Sequence, residues 1–334
     1  MKSGFRSVFI AISLLATTSI LLSWGTWGHQ HINHAAVFAL PDSMRRFFYN
    51  HIDFVTEESV VPDVRKYAIS DKAEFNRHFV DLESFVKSPS DTLPSTMAAT
   101  TAKYDAKFLD QNGILPWYIM DMMQKLTKAF QDKKKAETLF LAADLAHYIG
   151  DAHMPLHTSL NHDGQLTNQR GIHSFFESQL PEQFGESYNF YTGNAVYVPN
   201  VQKEVMRIIE DSHRLVDTLL LTERKVHDNY DTGKIYVKDP AGNYRRNKYG
   251  VPIRTFEYAS AYHTALNGMV EKQLRAATAA TANFWYTAWV NAGRPNLDSM
   301  EDPALTERNR KNYKKEYQLW KEGKLFGFKI DREY

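Results

Sequence analysis

Along most of the chain, apolar positions recur at three- and four-residue intervals, the period of helices that bury one face. Ile32 to Leu40 reads as an apolar-rich helix closed by Pro41, whose ring cannot continue it. Pro116 opens a second stretch, in which Trp117 to Phe130 carry apolar residues at helical spacing. Ala136 to Gly150 is rich in Ala and Leu and apolar almost all round, which predicts a helix buried on every side. Val201 to Val226 and Ser260 to Val290 read as two further long helices. Strand signals are few. The best is Lys234 to Lys248, where Asp-Pro-Ala-Gly separates short runs containing Tyr and Val, the pattern of a surface hairpin. Only Ser88 to Ser95 is loop-like, no repeat is evident, and nothing resembles a domain linker. The expected fold is all-α, a single multi-helix domain with room for a small β-hairpin insertion. From Thr306 onward nine Lys/Arg face five Asp/Glu, and that stretch reads as a solvated helix face.

The beginning of the chain is different in kind. Lys2 and Arg6 precede Val8 to Leu22, an apolar run of signal-core length and short for a membrane span. Ser23 suits a cleavage site, although Leu21 fits the small-x-small rule poorly. The expectation is a signal peptide over residues 1–23 and a mature domain over 24–334, secreted or periplasmic. An uncleaved segment would instead be a membrane anchor.

Composition narrows the chemistry. The 334 residues contain no Cys, which excludes disulfide scaffolds, thiolate metal sites and cysteine nucleophiles. Any metal must be held by His, Asp, Glu or backbone groups, and 13 His are available. Forty basic against 39 acidic residues give a net charge of +1, so the chain as a whole has no polyanion-binding bias. Hydrophobic residues make up 43%, enough for a substantial core.

Candidate chemistry concentrates between His147 and Glu177. His147 and Asp151 stand four apart on the helix expected to be buried, so both side chains leave one face. His173 and Glu177 repeat the spacing, and imidazole and carboxylate on adjacent turns can reach one ion. His213/Asp217 and His227/Asp231 share it too, but a solvated face explains those two pairs. Burial separates the first pair from them, because a His and an Asp among Leu, Ala and Ile are costly to bury without partners. His157 follows just past Pro155, where the helix should end. His153 and His157 are also four apart, but Met154 stands where the Glu of H-E-x-x-H belongs, which removes the zincin reading. His29, His31 and His34 lie near the expected mature start. Asp63 and His78 lie fifteen apart in VPDVRKY and NRHFVDLE.

Taken in order, these motifs resemble the superfamily of zinc-dependent phospholipases C and secreted single-strand-specific zinc nucleases. W-G-x-x-G-H at Trp24 to His29 resembles the nuclease start. Asp63 and His78 in H-F-V-D, then His147, Asp151, His157, His173 and Glu177, follow the family order. G-D-x-x-x-P-L-H at Gly150 to His157 is the most specific string. The segment Tyr262 to Ala292 resembles the family's closing helix. The resemblance implies an all-helical fold around three zinc ions. One would take Asp63, His78, His147 and Asp151. A second would take His157, His173 and Glu177. The third would take the Trp24 amine and carbonyl, His29 and the other oxygen of Asp151, with His31 and His34 competing for the role of His29. It further implies a zinc-bridging hydroxide that attacks phosphorus, with Asp63 orienting or deprotonating it.

The two branches pull apart. Glu177 and the string GIHSFFE resemble the phospholipases, whereas the opening motif resembles the nucleases. Family nucleases typically contain disulfides, and this chain has no Cys. Arg65 and Lys66 beside Asp63 suit either a phosphate or solvent. Residues 184–255 match neither branch. The implied function is a secreted zinc-dependent phosphodiesterase acting on phospholipid head groups or single-stranded nucleic acid, with no obligate protein partner. The alternatives are a non-catalytic protein that retains the ligands, and an unrelated helical protein with polar cores.

Overall fold

The computed structural model describes residues 25–328 and 330, apart from 68, 70, 89, 90, 248, 249 and 301–306. The expected signal segment 1–23 and Trp24 lie outside the described residues. The chain folds as one all-α domain.

Its centre is the helix Lys135–Ala152. Ala142, Ala143 and Ala146 keep its faces small, so Leu115–Gln131, Gly25–Ala39 and Met269–Asn291 can all pack closely against it. Trp285 locks the centre, stacking on Phe48 at 4.8 Å and donating its indole N–H to the Ala142 carbonyl. Among the described residues no helix is long and apolar enough to cross a membrane.

The two longest expected helices are each interrupted. Val201 to Val226 divides into Val201–His213 and Val216–Asp228. Ser212 donates to the Ala152 carbonyl there and His213 Nδ1 lies 3.0 Å from the Thr158 carbonyl, tying the first helix to the chain after the central one. Ser260 to Val290 divides into Phe256–Ala265 and Met269–Asn291. Asn267 and Gly268 adopt φ of +50° and +76° between them, a left-handed turn no helix continues through.

The C-terminal helix Glu307–Lys321 is docked, not merely solvated as its charge suggests. Glu316 and Trp320 are buried, and the Glu316 carboxylate accepts from Tyr49 Oη and lies 2.9 Å from His34 Nε2. A charged helix needs only one such face to be held in place.

The expected hairpin is a three-way junction. Val237 N–H donates to Ile253 O, Ile253 N–H to Arg245 O, and Arg245 N–H to Val237 O, closing a triangle of bonds of 2.8–2.9 Å. Two short hairpins, paired at Lys238/Tyr244 and Arg246/Pro252, project from a stem paired at Tyr236/Arg254.

Candidate metal centre

Eight side chains from separate segments converge at one end of the central helix. Asp63 sits in the first turn of Val61–Tyr67, and His78 lies on irregular chain after Lys72–Phe75. His147 and Asp151 project from the central helix. That helix ends at Ala152, and Pro155 opens a single tight turn, Pro155–Thr158, that carries His157. His173 lies in Ile172–Ser174, and Glu177 in the widened π-turn Phe175–Gln179, a departure common at functional sites. His29 comes from the first described helix, Gly25–Ala39.

These residues form three groups, each with ligand atoms within 4.8 Å of one another: Asp63, His78 and His147; His157, His173 and Glu177; and His29, His147 and Asp151. Asp151 joins the groups. Its Oδ2 is 2.9 Å from His78 Nδ1 and 3.3 Å from His147 Nε2, and its Oδ1 is 3.6 Å from His29 Nε2. Gly150 makes room for this, since a Cβ there would stand 3.0 Å from the His29 ring.

Backbone carbonyls fix which ring nitrogens face inward. His147 Nδ1 lies 2.8 Å from Ser59 O, His157 Nδ1 2.7 Å from His78 O, and His173 Nδ1 2.7 Å from His162 O. A carbonyl only accepts, so each Nδ1 carries the proton and each neutral ring presents a lone pair on Nε2. The lone pairs of His157 and His173 then meet at 3.2 Å, with Glu177 Oε2 3.2–3.5 Å from both. Lone pairs and a carboxylate pointing at one another repel unless a cation lies between them. The donor set of nitrogen and oxygen without sulfur suits zinc or a similar ion, so the residues fit the metal their motifs imply.

Without a metal, protons take that place. Burial alone would lower His147, but Asp151 and Asp63 outweigh it and raise the ring to about 9. At His173 burial is likewise outweighed by Glu177, giving about 9, while Glu177 is drawn down to about 2 against its own burial by His173 and His157. Burial and the neighbouring His147 hold His29 well below the usual histidine range. Raised folded values stabilise the metal-free protein fully below pH 6.5, and that stabilisation is lost as the pH climbs through 9. A metal must displace the same protons, so its affinity should rise across the same window, by about tenfold per pH unit for each proton released. Chelator competition between pH 6.5 and 9 measures this, and a flat profile would contradict it.

Behind the ligands lies a buried network that the sequence did not disclose. Glu74, fully buried, places Oε1 3.5 Å from His78 Nε2 on the side away from Asp151, and it also accepts from Tyr148 Oη, Arg65 and Arg77. Carboxylates in this position orient a ligating imidazole. Arg65 spends its guanidinium on Glu74 and Asp144, so it does not face a phosphate. Lys66, its neighbour, lines the open cleft instead.

Of the three N-terminal histidines only His29 reaches Asp151. His31 stacks on Trp27 at 3.6 Å with Nδ1 2.6 Å from the Trp27 carbonyl, and His34 pairs with Glu316. His227 stands 3.4 Å from Asp228 on the surface, whereas half-buried His213 braces Thr158 and so is not a solvated residue.

A cleft of about 510 Å³ reaches the ligands through His78 and through His157, His173 and Glu177, while His29, Asp63, His147 and Asp151 lie fully buried behind them. His78, His157, His173 and Glu177 lie on its inner side, and Phe75, Phe79, Leu156 and Val251 supply apolar wall. Asp81 and Gln111 add polar groups. Burial, reinforced by Glu83, raises Asp81 to about 7, well above the usual carboxylate range. Phe79 and Asp81 were already visible in H-F-V-D, but only the fold turns them toward the cleft.

The chain is similar to known proteins. The family model described as S1/P1 Nuclease matches residues 24–284. The chain is similar to Nuclease S1 of Aspergillus oryzae, 22% identical over 201 residues, a region spanning 55% of this chain and 63% of that protein. Its structure is similar to that of Clostridium perfringens alpha-toxin from an avian strain, with a TM-score of 0.45 and 13% identity, covering 80% of this chain and 65% of the toxin.

Proposed function

From the premise that the chain belongs to the S1/P1 nuclease family, we propose that it is a zinc-dependent phosphodiesterase of single-stranded nucleic acid. Zinc ions held by Asp63, His78, His147 and Asp151, by His157, His173 and Glu177, and by His29 with Asp151 would supply Lewis-acid polarisation of the phosphoryl group and an acidified water. The protein's own residues do the rest. Asp63 Oδ1, 3.6 Å from His78 Nδ1, orients the attacking water and takes its proton. Asp151 holds four imidazoles to one centre, and Glu74 fixes the plane of His78.

The observation that favours nucleic acid over a phospholipid head group is the pairing of Phe79 with Asp81 beside His78. An aromatic face stacks on a base of any identity. Beside that ring the Asp81 carboxyl adds an acceptor for the amino edge of a base, and a head group has no flat face to stack on Phe79. The test is a metal-loaded panel of single-stranded DNA, RNA, phosphatidylcholine micelles and a chromogenic aryl diester. Cleavage of the polynucleotides is expected, and Phe79→Ala should raise their KM about tenfold while sparing the aryl diester. Hydrolysis of phosphatidylcholine without cleavage of either polynucleotide would overturn the reading.

The chain start would take part as well. Gly25, which follows Trp24, packs beside Ser178, the neighbour of Glu177. Residues 1–23 would direct export and be removed, and the Trp24 amine and carbonyl would then complete the group of His29 and Asp151. An α-amine loses its proton near pH 7.7–8.0 and binds zinc, whereas an amide nitrogen does so poorly. A form beginning Met-Trp24 should therefore lose one zinc and most turnover, and trimming to Trp24 should restore both. Equal zinc counts and activity in the two forms would refute this.

A further inference from the structure

The three-way junction at 235–255 supplies none of the residues in the three ligand groups, yet it is built against the cleft. Val251 lines the cleft and stands where a Cβ on Gly171 would go, 2.4 Å away. Asn247 Nδ2 donates to Ser174 Oγ at 3.4 Å, and Ser174 lines the cleft too. Arg254 anchors the stem. It is buried, donates to the Gly171 carbonyl at 3.1 Å, and lies 4.2 Å over the Phe175 ring. The junction is thus fixed to the segment that carries His173 and Glu177.

Its outer surface has a different character. Between residues 234 and 254 the sequence holds six basic residues and one acidic one, Asp239. The Asp239 carboxylate is occupied in its own turn, accepting from the amides of Ala241 and Asn243. Lys238, Arg245 and Arg246 are exposed. Tyr244 is 47% exposed among them, its ring 5.7 Å from Lys238 Nζ and 5.3 Å from the Tyr236 ring. Cationic groups interleaved with an open aromatic face are the features that bind a flexible polyanion carrying bases, and a chain of net charge +1 has no general excess to explain them.

We infer that the junction is a docking arm for single-stranded nucleic acid. It holds the strand outside the cleft, with Lys238, Arg245 and Arg246 on phosphates and Tyr244 under a base, while the scissile phosphate sits at the metal groups. The inference rests on the nuclease reading. Its signature is dependence on substrate length, because a strand too short to leave the cleft cannot reach the arm.

The experiment compares the zinc-loaded enzyme with a Lys238→Gln/Arg245→Gln/Arg246→Gln variant and with Tyr244→Ala. Substrates are a 20-nucleotide single strand, a dinucleotide and an aryl diester, over a series of salt concentrations. For the 20-mer, the triple variant should raise KM about tenfold or more. The slope of log KM against log salt should fall by about 2, near 0.7 for each phosphate that the arm no longer neutralises. Tyr244→Ala should raise the same KM several-fold with the salt slope unchanged. Dinucleotide and aryl diester kinetics should stay within twofold. A Lys238→Arg/Arg245→Lys/Arg246→Lys variant should keep the wild-type KM, separating charge from folding. An unchanged 20-mer KM in the triple variant, with wild type cleaving the 20-mer normally, overturns the arm alone. A wild-type enzyme that cleaves the aryl diester but no nucleic acid overturns the nuclease reading and the arm with it.

Discussion

Asp151→Asn should strip the protein of at least two of its zinc ions and lower turnover by more than about a hundredfold, beyond what loss of a supporting residue does. The reason is position. Asp151 lies within 3.6 Å of His29, His78, His147 and His157, so one carboxylate serves more than one group. Its charge is held well below the usual carboxylate range, because His147 and His157 outweigh its complete burial. An amide of the same shape accepts hydrogen bonds but carries no charge to offset cations. Breaking such a buried arrangement by removing one partner costs roughly 3–5 kcal/mol in comparable cases, so the variant should also melt earlier. Asp63→Asn is the contrast. It should nearly abolish turnover yet leave the ion held by His157, His173 and Glu177, a group to which Asp63 does not belong. Elemental zinc analysis beside turnover of a chromogenic diester reads both variants. Full zinc and full turnover in Asp151→Asn would show that the carboxylate is not the shared ligand.

Chelation should lower the melting temperature by roughly 20 °C. The ligands come from segments as far apart as His29 and Glu177, so each ion ties together chain that otherwise relies on packing alone. One ion at a thousandfold excess over its dissociation constant contributes roughly 4 kcal/mol. For a domain of this size about 1 kcal/mol moves the melting temperature by roughly 2 °C, which gives some 8 °C per ion. Calorimetry before and after EDTA, then after zinc is restored, measures it. The loss should be smaller at pH 6.5 than at pH 8, since protons on His147 and His173 take over part of the metal's role. A melting temperature that ignores both chelator and zinc would mean that the clusters are not metal sites.

Where the determinants were local, they were legible before any fold was known. The periodicity of Ala136 to Gly150 announced a buried helix, and Lys135–Ala152 is the centre of the domain. A helix fixes the direction of side chains four apart, so His147/Asp151 had to share a face whatever surrounded them, and His173/Glu177 keep the same pairing although a π-turn carries Glu177. Pro155 ended the helix and set His157 in a new turn for an equally local reason, its missing N–H.

Where the deciding partner was distant in sequence, the residue type gave no sign. The opening motif favoured His29, with His31 and His34 competing for its role. The fold separates them because Asp151 and Glu316, both distant in sequence, meet His29 and His34, while His31 turns back to the Trp27 carbonyl of its own helix. Arg65 suited a phosphate or solvent equally until Glu74 and Asp144 closed around it. His213 looked solvated until Thr158 arrived beside it. The Asp-Pro-Ala-Gly turn foretold one hairpin but not the triangle of Val237, Arg245 and Ile253 that sets the basic arm against the cleft. The sequence alone determined the helical class and the ligand pairs, because backbone geometry enforces short-range spacing. Tertiary structure decided which histidine, which arginine and which surface belong to the site, because burial and charge pairing depend on neighbours brought from elsewhere in the chain.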